Sequence, residues 1–164
     1  FAYLEHRRMI RKDTLITRAG LDNLEKELAD LRSNKRSEVA KRIYRANETG
    51  GTVDNAEYDE AKNEQAFIEG RIRELENILS NAVVAPDNKK SRTIVKFGSS
   101  ITILTDKGSK RNYTVVGKAE ASPLEGKISN ESPVGRALLG RKIGDKVEVE
   151  TPSGIMNLTI HKIR

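Results

Sequence analysis

Two segments of the chain carry an apolar spacing that fits an amphipathic helix and little else. In the first segment the apolar positions lie three or four residues apart on either side of one jump, which spans eleven residues from Leu28 to Val39: Leu21, Leu24, Leu28, Leu31, Val39, Ile43 and Ala46. Spacing of this kind places every member on one side of a helix. The step of eleven is typical of a stutter in a coiled coil. We therefore predict a long helix with one apolar seam, and Thr17 is its expected N-cap.

The second segment repeats the pattern over a similar length. Its seam positions are Tyr58, Ala61, Gln65, Ile68, Ile72, Leu75 and Leu79. Two seams of similar length, joined by a short connection that contains Gly50 and Gly51, are typical of two antiparallel helices. We predict an antiparallel coiled-coil hairpin over residues 14–85, preceded by an extension or tail at residues 1–13.

The sequence changes character after the hairpin. A polar stretch with one proline, residues 86–92, reads as a linker. Five short β-type runs follow, "TIVKF", "ITILT", "YTVVG", "KVEVE" and "MNLTIHKI". In "SPVGRALLG", Ser132, Pro133 and Gly140 supply the start and stop signals of one short helix. The predicted fold is α+β with two domains, the second being an antiparallel sheet with one short helix over residues 93–164.

Composition excludes several classes of function. The chain has no cysteine and two histidines, so thiolate nucleophiles and zinc-thiolate sites are ruled out, and a metal would need oxygen ligands. Neither glycine-rich nucleotide-binding motif occurs. Aromatic residues make up only 4% of the chain, which argues against base-stacking platforms. No apolar run reaches the roughly 20 residues that span a bilayer, and we expect a cytoplasmic protein without membrane contacts.

The connection between the two helices is acidic. Residues 48–60 contain no Lys or Arg, although the chain carries a net charge of +6. Asp54 and Glu57 have the spacing of a capping box, which would make them structural. Exposed carboxylates at a turn also suit a divalent metal or a basic partner. The spacing leaves both interpretations open.

The first helix carries the opposite charge. Six basic residues lie within fourteen positions and are opposed only by Glu38: Arg32, Lys35, Arg36, Lys41, Arg42 and Arg45. Such a run is commonly a solvated helix face, and it also suits a phosphate backbone. A basic shaft that ends in an acidic turn suggests a protein that follows nucleic acid and presents carboxylates at its end.

Three segments resemble one bacterial family. "TLITRAGLDNLEKELADLR", "DNAEYDEAKNEQAFIEGRIRELENILSNA" and "ISNESPVGRALLGRKIGDKVEVETPSG" are similar to the GreA/GreB transcript cleavage factors over roughly residues 14 to 163. The resemblance implies a coiled coil that enters the secondary channel of bacterial RNA polymerase and a C-terminal domain of FK506-binding-protein-like fold. It also implies a protein that is not itself an enzyme, because in this family the polymerase cleaves the backtracked RNA.

The resemblance assigns roles to particular residues. Two acids at the family's tip help to hold a Mg²⁺ jointly with the polymerase, and the free protein is not expected to bind the ion stably. The second acid aligns with Asp54, but the first aligns with Gly51, so we expect Glu48 or Glu57 to compensate. The alternative is a regulator or inhibitor that occupies the channel without stimulating cleavage. A plain coiled-coil adaptor or nucleic-acid binder is the third possibility.

Two further surfaces are expected from the same resemblance. The predicted contacts to backtracked RNA are Lys35, Arg36, Lys41, Arg42 and Arg45, and the predicted contacts to the polymerase are Ser132, Pro133 and Gly135. A helix start that needs a cap and a tight turn explains the latter three residues equally well. We expect the protein to act as a monomer.

Overall fold

The computed structural model of the 164-residue chain describes residues 13–50, 55–86 and 92–164. These residues form two compact units. One unit comprises residues 21–81, and the other combines residues 13–20 with residues 82–164. This grouping by contacts does not decide the domain boundaries expected from the sequence, which stay a prediction.

The first unit contains the helices of the predicted hairpin. Helix α1 (Arg18–Asp30), a π-helical turn (Leu31–Lys35) and helix α2 (Arg36–Gly50) follow one another without a break, and helix α3 (Ala56–Ser80) forms the second arm. The buried residues all come from the two predicted seams: Leu24, Leu28, Val39, Ala46, Ala61, Ile68, Ile72 and Leu75. The helical hairpin predicted from spacing is therefore confirmed.

The π-helical turn lies where the first seam takes its step of eleven. A seam that reached Val39 from Leu28 in steps of four, three and four residues would pass through positions 32 and 35, and those positions are Arg32 and Lys35. Buried unpaired cations are costly. No residue of the turn is buried, so the irregular turn coincides with the two positions where an apolar seam cannot continue.

The start of α1 is fixed by a local cap and by a residue that lies far away in the sequence. The Thr17 hydroxyl accepts a hydrogen bond from the Gly20 amide at 3.0 Å, which confirms Thr17 as the N-cap. The Thr17 amide donates to the Glu120 carboxylate at 2.8 Å, and the Thr17 hydroxyl donates to the same group. A Cβ on Gly20 would lie 1.9 Å from the Glu120 oxygen. Glycine at position 20 therefore leaves room for this carboxylate.

Two short strands flank the hairpin in sequence and pair with each other. Strand β1 (Thr14–Ile16) runs parallel to strand β2 (Ala82–Val84), with Leu15 opposite Val83. The backbone of β1 also approaches Gly117 so closely that a Cβ there would lie 2.0 Å from the Leu15 carbonyl oxygen. Sequence reasoning did not anticipate this pair of strands.

The C-terminal sheet contains five strands: β3 (Ser100–Thr105), β4 (Lys110–Val116), β5 (Lys127–Ser129), β6 (Lys146–Thr151) and β7 (Gly154–Ile163). Their order is β5-β4-β3-β7-β6. Three pairings are antiparallel, but β5 runs parallel to β4, so the prediction of a purely antiparallel sheet is wrong at this edge. The chain between β4 and β5 passes through two short 3-10 turns (Lys118–Glu120 and Pro123–Glu125), which allow it to return in the same direction.

One face of this sheet holds the core. The buried apolar cluster includes Ile101, Ile103, Val115, Leu158 and Ile160, and Leu138 of helix α4 (Pro133–Leu138) packs into it. This is the short helix that the sequence predicts. Gly140 follows it with a φ of 79°, a conformation that favours glycine.

The run "TIVKF" is not a strand, contrary to the prediction. Ile94 forms only an isolated bridge with Lys142. Val95 is buried and hydrogen-bonds through its backbone to Arg141 and Gly140. Val95 thus enters the core, but the backbone of the run pairs with a loop instead of a neighbouring strand. None of the helices in the described ranges combines the length and apolar character that crossing a membrane requires.

Candidate functional site

The side chain of Asn55 links the two helix ends at the tip of the hairpin. Its oxygen Oδ1 accepts a hydrogen bond from the Tyr58 amide at 3.2 Å, which makes Asn55 the N-cap of α3. The amide nitrogen of the same side chain donates to the Ala46 carbonyl oxygen at 2.7 Å. Asn55 therefore links the last turns of α2 to the first turn of α3, and we call these two hydrogen bonds the tip clamp.

The tip clamp corrects one prediction. The capping box predicted from Asp54 and Glu57 assigns the N-cap to Asp54, whereas Asn55 holds that position. Asn and Asp cap equally well, so composition alone did not distinguish two adjacent candidates. The role that remains for Asp54 is consequently not that of the N-cap residue.

Gly50 provides the space that the tip clamp needs. A Cβ at position 50 would lie 2.8 Å from the Asn55 side-chain nitrogen. That nitrogen is held by its bond to Ala46, so it cannot move away without breaking the clamp. A larger residue at position 50 would therefore collide with the tip clamp, which explains the glycine at the end of α2.

Two of the three predicted tip acids, Glu48 and Glu57, lie on either side of the clamp. Asp54 and Gly51 lie outside the described residues. Glu48 is in the last turn of α2 and Glu57 in the first turn of α3, and both are exposed. Among the ion pairs of the described residues, neither carboxylate takes part.

Helix electrostatics distinguish these two acids. Glu57 lies at a helix N-terminus, where the helix dipole stabilises negative charge. Glu48 lies at a C-terminus, where the dipole opposes it. Neither capping nor the dipole accounts for Glu48, and so a structural role explains only part of the acidic tip.

The tip carboxylates have a donor chemistry that suits a metal ion. Carboxylate oxygens are suitable ligands for Mg²⁺. Within residues 13–50, 55–86 and 92–164, however, no three acidic or histidine side chains cluster closely enough to hold an ion. The donor chemistry fits a shared Mg²⁺ to which the described residues contribute only part of the ligand set.

Three of the six cations of the basic run are paired across the hairpin. Arg36 binds both oxygens of Glu69, at 2.7 and 2.9 Å. Arg42 pairs with Glu64, and Arg32 pairs with Glu76. In the opposite direction, Arg71 of α3 binds both oxygens of Glu27 of α1, at 2.7 and 3.0 Å. We call these four cross-hairpin pairs the ion-pair ladder.

The ion-pair ladder shifts the pKa values of three of its own members. The hydrogen bond from Arg36 holds the pKa of the Glu69 carboxyl below its ordinary value, and the reciprocal bond raises the pKa of Arg36. Glu27 raises the pKa of Arg71 in the same way. Each shift favours the charged forms and so stabilises the pair.

The ladder divides the predicted RNA-binding residues. Arg36 and Arg42 are engaged with acids of α3, and Lys35 pairs with Glu38 of its own helix at 3.3 Å. Lys41 and Arg45 are exposed, and no ion pair joins them to another described residue. Contact with RNA stays a prediction, and the geometry favours Lys41 and Arg45 as its carriers.

The three predicted polymerase-binding residues form the start of α4. The Ser132 hydroxyl donates to the Ser129 carbonyl at 2.6 Å and accepts from the Gly135 amide at 3.1 Å. Gly135 is buried, and a Cβ there would lie 2.0 Å from the Ser129 carbonyl oxygen. Pro133 is exposed. Gly135 therefore has a packing role, and polymerase contact at Ser132 and Pro133 stays a prediction.

Two residues with evident roles were not found from the sequence. Asn55 could have been found, since an asparagine directly before an apolar-periodic run is a recognised N-cap signal. Glu120 could not, because its partner Thr17 lies 103 positions away and no local pattern links them.

Comparison with known proteins agrees with the two-part architecture. Residues 14–84 match the family model described as "Transcription elongation factor, N-terminal", and residues 89–164 match "Transcription elongation factor, GreA/GreB, C-term". The transcription elongation factor GreA of Chloroflexus aggregans is 48% identical over 157 residues, covering 95% of this chain and 100% of that protein. GreA of Bacillus cereus is 48% identical over 151 residues, covering 91% and 95%.

Among solved structures, GreA factor homolog 1 of Thermus thermophilus matches with a TM-score of 0.43 at 33% identity, covering 93% of this chain and 99% of that one. The two family matches together include both the hairpin with its acidic tip and the sheet with its capped helix. The chain belongs to the GreA/GreB family of transcription elongation factors.

Proposed function

We propose that this protein binds bacterial RNA polymerase, inserts its helical hairpin into the secondary channel and stimulates cleavage of the 3′ end of backtracked RNA. The observation that carries the proposal is the placement of Glu48. This exposed carboxylate lies beside the tip clamp at the helix end where negative charge is electrostatically unfavourable. A charge kept at such a position is explained by a ligand outside the chain.

The tip residues have distinct roles in this proposal. Asp54 is the principal ligand toward the metal, and Glu48 and Glu57 supply the charge that Gly51 cannot. The tip clamp holds the ends of both helices at a fixed separation, so that the carboxylates arrive in a defined arrangement. A Mg²⁺ held jointly with the polymerase would activate the attacking water and neutralise the charge that develops on the phosphate.

The remaining surfaces support insertion. The ion-pair ladder neutralises three of the six cations of the basic run, so the hairpin has fewer unpaired cations to bind phosphate nonspecifically before it reaches the channel. Lys41 and Arg45 are the candidates for contact with extruded RNA. Ser132 and Pro133 are the candidates for docking on the polymerase.

Gly51 favours a second candidate function. Glycine stands at the position of the family's first tip acid, and it offers no oxygen ligand from a side chain. A factor with this tip could occupy the channel and regulate the polymerase without promoting cleavage. Both candidates require binding to the polymerase, and they differ only in the fate of the RNA.

The decisive experiment is a cleavage assay on a stalled, backtracked polymerase complex. The parent protein should shorten the RNA from its 3′ end, and Asp54→Asn, which removes the charge at nearly constant size, should lower the rate by on the order of tenfold or more. Gly51→Asp should increase cleavage when Mg²⁺ is scarce, because it adds a ligand.

Two other results would redirect the proposal. If Asp54→Asn cleaves like the parent while Glu48→Gln or Glu57→Gln does not, the principal ligand is the other acid. If the parent binds the complex but never shortens the RNA, the protein is the noncleaving regulator. Binding is measured separately by competition with labelled parent protein, so that loss of docking is not mistaken for loss of cleavage.

A further inference from the structure

The net positive charge of the chain is confined to its C-terminal part. Residues 92–164 contain 13 Lys and Arg against 7 Asp and Glu, whereas residues 1–91 contain 17 of each. The hairpin's cations are therefore matched by its own acids, many of them in the ion-pair ladder. Whatever affinity the chain has for polyanions should originate largely in the C-terminal sheet.

The sheet has one face that no element of its own unit, within residues 13–20, 82–86 and 92–164, covers. Residues directly opposite each other on neighbouring strands project to the same side. One side is the apolar core under α4. On the other side, which we call the outer face, the middle positions apart from Leu104 are hydroxyl or amide side chains: Ser100, Thr102, Asn112, Thr114 and Thr159.

Cations lie at the ends of the same cross-strand rows. In one row Lys110 of β4 and Lys146 of β6 flank Leu104 and Thr159. In the next row Lys162 of β7 lies opposite Thr102. In the third, Lys127 lies opposite Thr114 and Arg164 bonds through its backbone to Ser100. The outer face thus carries five cations around a polar centre.

Acids offset part of this charge. Glu125 pairs with Lys127 at 3.4 Å, and Glu148 and Glu150 of β6 project to the same face toward one corner. Asp106, in the turn after β3, accepts a hydrogen bond from Asn157 at 3.2 Å. Within residues 92–164, Lys110, Lys146 and Lys162 take part in none of the ion pairs present, so these three ammonium groups are available to a partner.

The spacing of the lysines suits a rigid polyanion. Neighbouring strands lie about 4.8 Å apart, so Lys110 and Lys146, three strands apart, are about 14 Å from each other, and successive rows are separated by about 7 Å. The Thr102 hydroxyl already donates to Asn112, and the Ser100 and Thr114 hydroxyls share a hydrogen bond. The Asn112 side-chain nitrogen and the Thr159 hydroxyl can donate to phosphate oxygens, as such side chains do at DNA backbones. The side chains of these rows include no aromatic ring, which removes the usual means of gripping unpaired bases.

We propose that the outer face of the C-terminal sheet binds the phosphate backbone of duplex DNA without reading its sequence. This interaction is separate from the tip and from the start of α4, and it goes beyond the proposed function. A transcription elongation factor works beside the template duplex, so a second, weak contact to DNA would raise its local concentration there. The polar rows would position the backbone, and the lysines would supply the affinity.

The test uses the full chain and a fluorescein-labelled DNA duplex of about 20 base pairs, with fluorescence anisotropy measured between about 50 and about 200 mM NaCl. The triple variant Lys110→Gln, Lys146→Gln and Lys162→Gln should bind on the order of tenfold more weakly at the lower salt. Its slope of log affinity against log salt should fall by about 2 to 3, because about 0.9 is lost per phosphate contact.

Matched variants separate the outer face from charge in general. The triple variant Lys96→Gln, Lys118→Gln and Lys142→Gln removes the same charge from the same unit outside these rows, and it should keep the parent's slope. Replacing Lys110, Lys146 and Lys162 by Arg should also keep it, and circular dichroism checks that each variant is folded. The proposal fails if both glutamine triples lose affinity equally or if neither does.

Competitors identify the partner. A single-stranded oligonucleotide of the same length should compete less well than the unlabelled duplex. Stronger competition by the single strand overturns the assignment to duplex DNA. Stronger competition by polyglutamate at equal charge overturns it in favour of an acidic protein segment.

Discussion

Asn55 uses both ends of its side-chain amide, and two substitutions can separate the two functions. Asn55→Asp keeps the acceptor that caps α3, since Asp and Asn cap equally well, but it loses the donor to the Ala46 carbonyl. Asn55→Ala loses both. We expect Asn55→Ala to lower the free energy of unfolding by about 0.5–2 kcal/mol, and we expect Asn55→Asp to retain the capping part of that energy.

Hydrogen exchange at the tip provides the measurement. In Asn55→Asp the amides of α3's first turn should stay protected, while exchange near Ala46 becomes faster. Asn47→Ala is the control, because it changes an exposed asparagine close to the tip. Equal exchange near Ala46 in the parent and in both Asn55 variants would show that the arm-to-arm bond does not hold the tip together.

Single residues were predictable only where the signal is local. Ser132 and Thr17 were found because a capping hydroxyl acts three residues along the chain. Asn55 was missed in favour of Asp54, since adjacent residues of equal capping strength give the same signal. The glycines at 20 and 117 make room for Glu120 and for the Leu15 carbonyl, and that need exists only in the folded chain.

Among the elements, the π-helical turn offers a direct test of the seam. Arg32→Leu together with Lys35→Leu completes the apolar pattern between Leu28 and Val39. Burying leucine contributes about 1.5–3 kcal/mol when complete, whereas the exposed pair between Arg32 and Glu76 contributes about 0–1 kcal/mol. The double variant should therefore be more stable by on the order of 1–2 kcal/mol.

Thermal unfolding followed by circular dichroism measures this change. Ser33→Leu is the matched control, because it places a leucine in the same turn but outside seam positions 32 and 35. It should bring no such gain in stability. A double variant that melts at or below the parent's temperature would mean that the turn is not a response to the two cations.

The ion-pair ladder predicts a pH dependence with a definite sign. The pKa of Glu69 is lowered by its hydrogen bond from Arg36, so the folded protein binds this proton less readily than the unfolded chain. The contribution is present above the ordinary carboxyl value of 4.5 and is lost as the pH falls through the lowered folded value. Acidification should destabilise the hairpin.

Melting temperatures recorded from about pH 7 to about pH 3 test this prediction. In Arg36→Met the melting temperature should fall less steeply below pH 4.5 than in the parent. Lys62→Met is the control, since Lys62 donates to the neutral amide of Gln65 at 3.0 Å, and it should follow the parent. If the melting temperatures of the parent and of Arg36→Met fall equally with decreasing pH, the pair of Arg36 and Glu69 does not contribute to the acid destabilisation.

The elements were predictable in proportion to their length and periodicity. Both helical arms and the strands β3, β4, β6 and β7 follow runs of at least five patterned residues. Strands β1, β2 and β5 have three residues each, too few for any period. The parallel direction of β5 is set by the two 3-10 turns before it. The run "TIVKF" shows that a β-type sequence forms a strand only where a neighbouring strand is available to pair with it.

At the scale of the whole molecule, Glu120 joins the beginning of the chain to its C-terminal part. Its carboxylate accepts hydrogen bonds from both donors of Thr17 and from the Gly117 amide. Hydrogen bonds to a charged group contribute about 1.5–3 kcal/mol. Glu120→Ala should therefore lower the free energy of unfolding by about that amount and increase hydrogen exchange in β1.

Combining it with Thr17→Ala provides the internal check. Because the two residues share their bonds, the double variant should lose less than the sum of the single variants. Glu131→Ala, at an exposed position of the same unit, controls for removal of a carboxylate. Full additivity, or unchanged exchange in β1, would mean that Glu120 does not hold the start of the chain.

The family could be identified from the sequence because its motifs are continuous. The motifs do not show which cations are paired with acids and which are not. The basic run of α1 and α2 attracts attention as six cations in fourteen positions. Only the fold shows that acids 22 to 44 residues away pair with Arg32, Arg36 and Arg42. The lysines of the outer face are scattered in sequence and meet only through strand register.

The parallel pairing of β1 with β2 makes the hairpin an insertion. Thr14 lies opposite Ala82 and Ile16 opposite Val84, so the chain leaves and re-enters its host through strands about 4.8 Å apart. An insertion with adjacent ends can be exchanged without breaking the host's core. The hairpin could therefore be lengthened, shortened or replaced by changing both arms together by whole heptads. The unit into which it is inserted would stay the same.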